Sequence, residues 1–274
     1  MNSRRGVRAA RGAALAAGIM AFASFVLASV ENLFLFHPAR KLASDPSVLG
    51  LDYEDVLIDS SDGVQLHGWY LPAAGSPTIL YLHGNGGNIA DRIDKAACLV
   101  HQGYPVLMVD YRGYGGSSGS PSEEGVYRDA VAMYQWLRRE HGLEPGEIVV
   151  WGMSLGGAVA VELASRVEVG ALIAESTFTD TREVASIVYP WLPRLFLRQR
   201  FDSRSKVGRL TIPKLFIHGG QDEVVPLAMG QSLYEAAAPP KSFYLVPGAK
   251  HANAYAVGGM DYLDRIAKFL GSSR

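Results

Sequence analysis

The chain has 274 residues, 48% of them hydrophobic, enough apolar material to bury one sizeable core without requiring a second domain. Its 26 Lys+Arg balance 27 Asp+Glu, which leaves no basic excess to mark a nucleic-acid binder. A single cysteine, Cys98, excludes an internal disulfide framework and a cysteine-based metal cluster.

The first element is a membrane signal. Arg4, Arg5, Arg8 and Arg11 carry the opening residues, and no acid accompanies them. Gly12 to Val30 then runs 19 residues without a charge. As a helix that run spans about 28 Å, enough to cross a bilayer. The order predicts a retained signal anchor over residues 1–36, with the rest of the chain outside the cytoplasm by the positive-inside rule. Ala21-Phe22-Ala23 keeps open the alternative of signal cleavage and secretion.

Residues 37–52, with His37-Pro38, Asp45-Pro46 and Gly50, read as a linker, and residues 53–274 as one domain. That domain opens with a hairpin. Asp55–Asp59 and Val64–Tyr70 are apolar-rich runs joined by a turn at Asp62-Gly63. Strands then alternate with helices. Thr78–Leu82 precedes a helix around Ala90–Gln102, where Cys98 beside Ala96, Ala97 and Leu99 reads as a small buried core residue. After the strand Val106–Val109, Ser120-Pro121-Ser122-Glu123 predicts a capping box. It opens a helix that stops at His141-Gly142. The strands Ile148–Val150, Ala171–Ala174, Lys214–Ile217 and Ser242–Val246 follow, with helices over Leu227–Ala238 and around Tyr262–Leu270. Near-continuous apolar strands alternating with helices predict a mostly parallel α/β sheet with helices on both faces and the hairpin as its antiparallel edge. Residues 176–212 interrupt the alternation and predict a small cap insertion over the carboxyl edge of the sheet.

The chemistry centres on Gly152-Met153-Ser154-Leu155-Gly156. Gly-x-Ser-x-Gly here falls where a strand changes into a helix, the setting that presents a serine hydroxyl above a sheet. A serine needs a base, and the base needs an acid to orient it. His251 follows the last strand in a loop and His218 ends the strand before it. Catalytic groups of open parallel sheets gather at the carboxyl ends of the strands, which favours His251 as the base and leaves His218 to fix a loop. Asp222, just beyond the His218 strand, is the candidate acid, with Glu223 and Glu175 as rivals. Asp110, Asp129 and Asp180 read as structural or exposed. The glycine-rich His83-Gly84-Asn85-Gly86-Gly87-Asn88 would offer the Asn85 N–H to an oxyanion, with Leu155 N–H as the second donor. Asp110–Gly119, also rich in glycine, lacks the Lys-Ser/Thr ending of a P-loop and reads as a wall near the site. No residue cluster has metal-ligand spacing, and no cofactor is expected.

From about Glu54 to Leu270 the chain resembles a serine hydrolase of the α/β-hydrolase fold with an N-terminal membrane segment. The carrying motifs are His83–Asn88, Asp110-Tyr111-Arg112-Gly113-Tyr114-Gly115, Gly152–Gly157, Glu175–Phe178, His218–Asp222 and His251. The resemblance implies Ser154, Asp222 and His251 as the triad. It also implies esters or thioesters as substrates, with lipid-linked acyl groups prominent. Two alternatives stay open. One is a peptidase or transacylase of the same fold; the other is a tethered, non-catalytic binding protein. Oligomeric state is not legible.

Overall fold

The computed structural model describes residues 32, 35–188, 190–191 and 197–272. The anchor run Gly12–Val30 lies outside the described residues. Among the described residues no helix is long and apolar enough to cross a membrane.

Eight strands form one sheet: β1 (Glu54–Asp59), β2 (Gln65–Leu71), β3 (Thr78–Leu82), β4 (Val106–Val109), β5 (Ile148–Met153), β6 (Ala171–Glu175), β7 (Lys214–Gly219) and β8 (Lys241–Val246). Their spatial order is β1-β2-β4-β3-β5-β6-β7-β8. β1 and β2 pair antiparallel, and β2 pairs antiparallel with β4; every pair from β4 to β8 is parallel. The hairpin turns where the sequence places it. Ser60 N–H donates to Val64 O at 2.8 Å, and Gly63 takes the left-handed φ of 79° that the turn requires.

Strand composition follows from burial. β3, β4, β5 and β6 are buried at every position, because helices cover both faces, and their runs are accordingly continuous in Val, Ile, Leu and Ala. Alternate residues then serve two separate cores. One face packs Leu80, Val150 and Leu172 against α2 (Glu123–Glu140), α3 (Leu155–Arg166) and α6 (Leu227–Ala236). The other packs Ile79, Trp151 and Ile173 against α1 (Ile93–His101) and α7 (Ala254–Ser272). Two shorter helices, α4 (Thr181–Val188) and α5 (Arg204–Val207), belong to the insertion.

Three expectations need correction. α2 is capped by Ser122, whose hydroxyl accepts from Gly125 N–H, not by Ser120, so Pro121 precedes the helix instead of opening it. Cys98 is half-buried, since it lies on the flank of α1 while Ala96, Ala97 and Leu99 take the core positions. The stretch after residue 36 is tied to the domain more closely than a linker would be. His37–Pro38 forms a short parallel bridge with Gly86–Gly87, and Ala39 N–H donates to Gly87 O.

Candidate active site

Ser154 stands between the fully buried β5 and α3 with φ 53° and ψ −118°, a conformation that L-residues rarely adopt. The surroundings hold it there. Ser154 N–H donates to Glu175 O at 2.9 Å, and the Thr177 hydroxyl donates to Ser154 O at 2.8 Å. The flanking glycines permit the close approach: a Cβ on Gly152 would collide with the Gly156 carbonyl, and one on Gly156 with the Leu82 carbonyl.

The loops after β7 and β8 are stapled to each other. Gly220 N–H donates to Val246 O at 2.9 Å and Gln221 N–H to Ala249 O at 2.8 Å. This brings Asp222 and His251, 29 positions apart, side by side. His251 Nδ1 lies 2.9 and 3.0 Å from the two Asp222 carboxylate oxygens, while its Nε2 lies 3.0 Å from Ser154 Oγ. The Asp222 side chain is fully buried, and the His251 ring is 15% exposed. Burial pushes the Asp222 carboxyl up, but the His251 hydrogen bond and the amides of Val224 and Val225 outweigh it, so Asp222 titrates below the usual aspartate value.

The rival acids are engaged elsewhere. Glu223 accepts from the His251 backbone N–H at 3.3 Å and does not meet the ring. Glu175 points to the opposite face, where its carboxylate binds Lys95, the Trp151 indole N–H at 2.9 Å and the Tyr262 hydroxyl at 3.0 Å. His218 is buried and donates Nε2–H to Val225 O at 2.9 Å, which holds the loop that carries Asp222. Burial also disfavours its charged form. Asp129 is structural: its carboxylate and that of Asp62 clamp the Arg112 guanidinium. Asp110 is buried, and Asp180 pairs with Arg200.

Asn85 and Leu155 border the same cavity as Ser154 and His251. Among the described residues neither backbone N–H donates to another group of the chain. The Asn85 side chain fixes its loop instead, accepting from His37 N–H at 3.1 Å and from the Tyr114 hydroxyl at 2.9 Å. The cavity has a volume of about 340 Å³ and mainly apolar walls, drawn from Leu155, Phe178, Val184, Ala185, Val225 and Leu35. The insertion supplies the Phe178–Ala185 part of that wall. Sequence reasoning missed Leu35, His37, Arg92 and Val224 as lining residues. Leu35 and His37 belong to segments read as anchor and linker, and nothing local in the sequence announces the pairing with Gly86–Gly87 that brings them there.

A family model described as alpha/beta hydrolase fold matches residues 77–206. The alpha/beta hydrolase domain-containing protein WAV2 of Arabidopsis thaliana is 35% identical over 248 residues, covering 82% of this chain and 80% of that one. The chain belongs to the alpha/beta hydrolase fold family. As a member of that family it is similar to the lysophosphatidylserine lipase ABHD12 of Danio rerio, 41% identical over 197 residues, which cover 64% of this chain and 51% of that protein. In fold this hydrolase resembles the Pyrococcus furiosus esterase Pf2001, with a TM-score of 0.74 and 23% identity over 86% of this chain and 98% of that one. The family model and the relative WAV2 together support a hydrolase.

Proposed function

We propose that this hydrolase cleaves carboxylic esters or thioesters of acyl chains through an acyl-enzyme at Ser154. The observation that carries the reading is the line Ser154 Oγ, His251 Nε2, His251 Nδ1, Asp222, with contacts of 3.0 and 2.9 Å. In this reading Ser154 Oγ attacks the acyl carbonyl and gives its proton to His251 Nε2, while Asp222 holds the ring and favours the imidazolium. The tetrahedral oxyanion takes the free N–H groups of Asn85 and Leu155. Collapse breaks the bond to the alcohol or thiol, which leaves with the proton from His251. Water then attacks the acyl-enzyme with His251 as its base, and Ser154 is regenerated. The apolar cavity receives the acyl chain, and the lipase among the relatives supports a lipid-like substrate.

The uncharged run Gly12–Val30 adds an anchor to the proposal, with the hydrolase domain outside the cytoplasm. Leu35, a few residues after that run, borders the cavity, so an anchored chain would hold its site close to the lipid surface.

The test is labelling of wild type and Ser154→Ala with a fluorophosphonate probe, followed by hydrolysis of esters of rising chain length. Labelling of wild type alone, with an optimum at a defined acyl length, supports the reading. A folded wild type that neither labels nor hydrolyses any ester overturns it and leaves the non-catalytic binding protein. Release of wild type from membranes by alkaline carbonate would overturn the anchor.

A further inference from the structure

The cavity beside Ser154 carries one fixed charge. Of the described residues that line it, Arg92 alone is permanently ionised. Arg92 lies in the turn that opens α1, and two backbone carbonyls hold its guanidinium at the rim: Nη2 donates to Gly86 O at 3.0 Å and Nη1 to Asp91 O at 3.1 Å. These are its only polar partners among the described residues, with no carboxylate within 4.0 Å. Its Nε is buried and has no hydrogen-bond partner among the described residues. A guanidinium presents five N–H donors in a fixed fork, so most of this one's hydrogen-bonding capacity is unspent. A charge held at an apolar cavity without a counter-ion is costly unless a ligand compensates it.

The location indicates which part of a substrate that ligand would be. Arg92, Met153 and Ala252 border both the main cavity and a smaller one of about 80 Å³ beside it. Ala252 follows His251, the group that hands its proton to the departing alcohol or thiol. Phe178, Val184 and Ala185, the apolar walls that suit an acyl chain, come from the insertion instead. Asp91 and Asp94 line the smaller cavity, but the Asp91 carboxylate is taken by Asn88 N–H at 3.0 Å.

We propose that Arg92 recognises an anionic oxygen group, phosphate or carboxylate, on the leaving-group portion of the substrate. This rests on the serine-hydrolase reading and adds a specificity residue to it. The guanidinium, already oriented by Gly86 and Asp91, meets the anion with the N–H that each carbonyl leaves free on Nη1 and Nη2, a fork that suits two oxygens at once. The substrates selected are acyl esters with a charged head, in preference to neutral esters with the same chain.

The test uses the full chain in detergent solution and three hexanoyl esters: 1-hexanoylglycerol, 1-hexanoylglycerol 3-phosphate and 3-hexanoyloxyglycerate. The readout is the ratio of kcat/KM for each charged ester to that for the neutral one. Wild type is expected to favour at least one charged ester by about tenfold or more, the usual worth of a charge-assisted hydrogen bond. Which charged ester it favours separates phosphate from carboxylate. Arg92→Gln is expected to erase the preference, and Arg92→Lys to keep part of it. A merely structural role would lower all three rates together and leave the ratio unchanged. A ratio near one in wild type, or a ratio that survives Arg92→Gln, overturns the proposal while ester hydrolysis itself still stands. If no ester is hydrolysed, the serine-hydrolase reading has failed, and calorimetric titration with hexyl phosphate and hexanoate decides the anion site alone. Binding at least about tenfold weaker to Arg92→Gln supports the site; equal or absent binding overturns it.

Discussion

Two of the histidine–aspartate contacts around Ser154, His251–Asp222 and His83–Asp110, have opposite characters. His251 and Asp222 meet at 2.9 Å on the cavity wall, with the ring partly exposed and its far nitrogen 3.0 Å from a hydroxyl. His83 and Asp110 lie 3.6 Å apart with both side chains fully buried, under the loop that carries Asn85. Burial drives the inner pair toward neutrality from both sides. His83 is held down to about 3, and Asp110 is pushed up to about 7. The His83 ring packs against Tyr111 and Tyr114, and its Nδ1 lies 2.7 Å from the Gly84 carbonyl, so the proton sits at Nδ1 and the ring pins its own backbone. Contact between an imidazole and a carboxylate therefore does not by itself make a base. The outer pair has what the inner one lacks: a serine hydroxyl in reach, a carboxylate held below the usual aspartate value by the His251 hydrogen bond and two amides, and a ring that opens on the cavity.

The largest expected effect falls on the outer pair. His251→Ala should lower kcat by about 10⁵-fold or more and abolish fluorophosphonate labelling, as loss of the base does in serine hydrolases. Its urea midpoint should fall less than that of His83→Ala, because the His251 ring is partly exposed and the His83 ring is not. A His251→Ala enzyme within tenfold of wild type would remove the distinction between the pairs. Asp222→Asn comes next, with a loss of about 10⁴-fold in kcat from a ring held in the wrong tautomer. Steady-state kinetics of the folded variant checks it, and a smaller loss than that of Glu223→Gln would give the acid's role to Glu223.

For the inner pair the order of effects reverses. His83→Ala should cost about 3 kcal/mol of stability by urea unfolding, since it empties a fully buried, ring-packed site. The folded fraction should lose about tenfold in kcat or less, through a shifted Asn85 loop. A variant as stable as wild type but inactive would place His83 in the chemistry and break the contrast.

The residues of the outer pair were legible as candidates in the chain because the signals are local. Gly-x-Ser-x-Gly sits at a strand-to-helix change, and His251 and Asp222 follow strands at their carboxyl ends. The choice between Asp222 and Glu175 also had a local signal that went unused. Glu175 has the same parity along β6 as Ala171 and Ile173, so its side chain joins theirs on the α1–α7 face, away from the serine hydroxyl. What the sequence did not disclose depends on contacts between distant segments. The bridge from His37–Pro38 to Gly86–Gly87, the Ser122 cap chosen over Ser120 and the isolation of Arg92 at the cavity rim are all set by tertiary packing. The same holds for the buried state of Asp110, whose residue type suggests an exposed or ion-paired acid.

The smallest expected effect is also the most specific to the inner pair. Asp110 Oδ1 accepts from Ile89 N–H at 3.0 Å, while among the described residues Oδ2 and the nearby His83 Nε2 have no hydrogen-bond partner. With the His83 proton at Nδ1, Nε2 carries no proton, and a protonated Asp110 leaves the buried pair uncharged. Burial raises this carboxyl from near 3.8 to about 7, so its stabilising contribution is complete below about pH 4 and is lost as pH rises toward 7. His83 acts in the opposite sense. Its lowered value means a contribution present above about pH 6.5 and lost as pH falls toward 3. Wild-type stability should therefore change little across the overlap, because the two terms oppose each other. Asp110→Asn keeps the oxygen for Ile89 but cannot ionise. The stability of Asp110→Asn minus that of wild type should accordingly rise between pH 4 and 7, by on the order of 1 kcal/mol per pH unit, and level off above 7. Urea unfolding of both proteins at pH 4.5, 6 and 8 measures it directly. A difference that stays flat across that range would mean Asp110 is ionised throughout, and the inner pair would then be a buried ion pair instead of a neutral one.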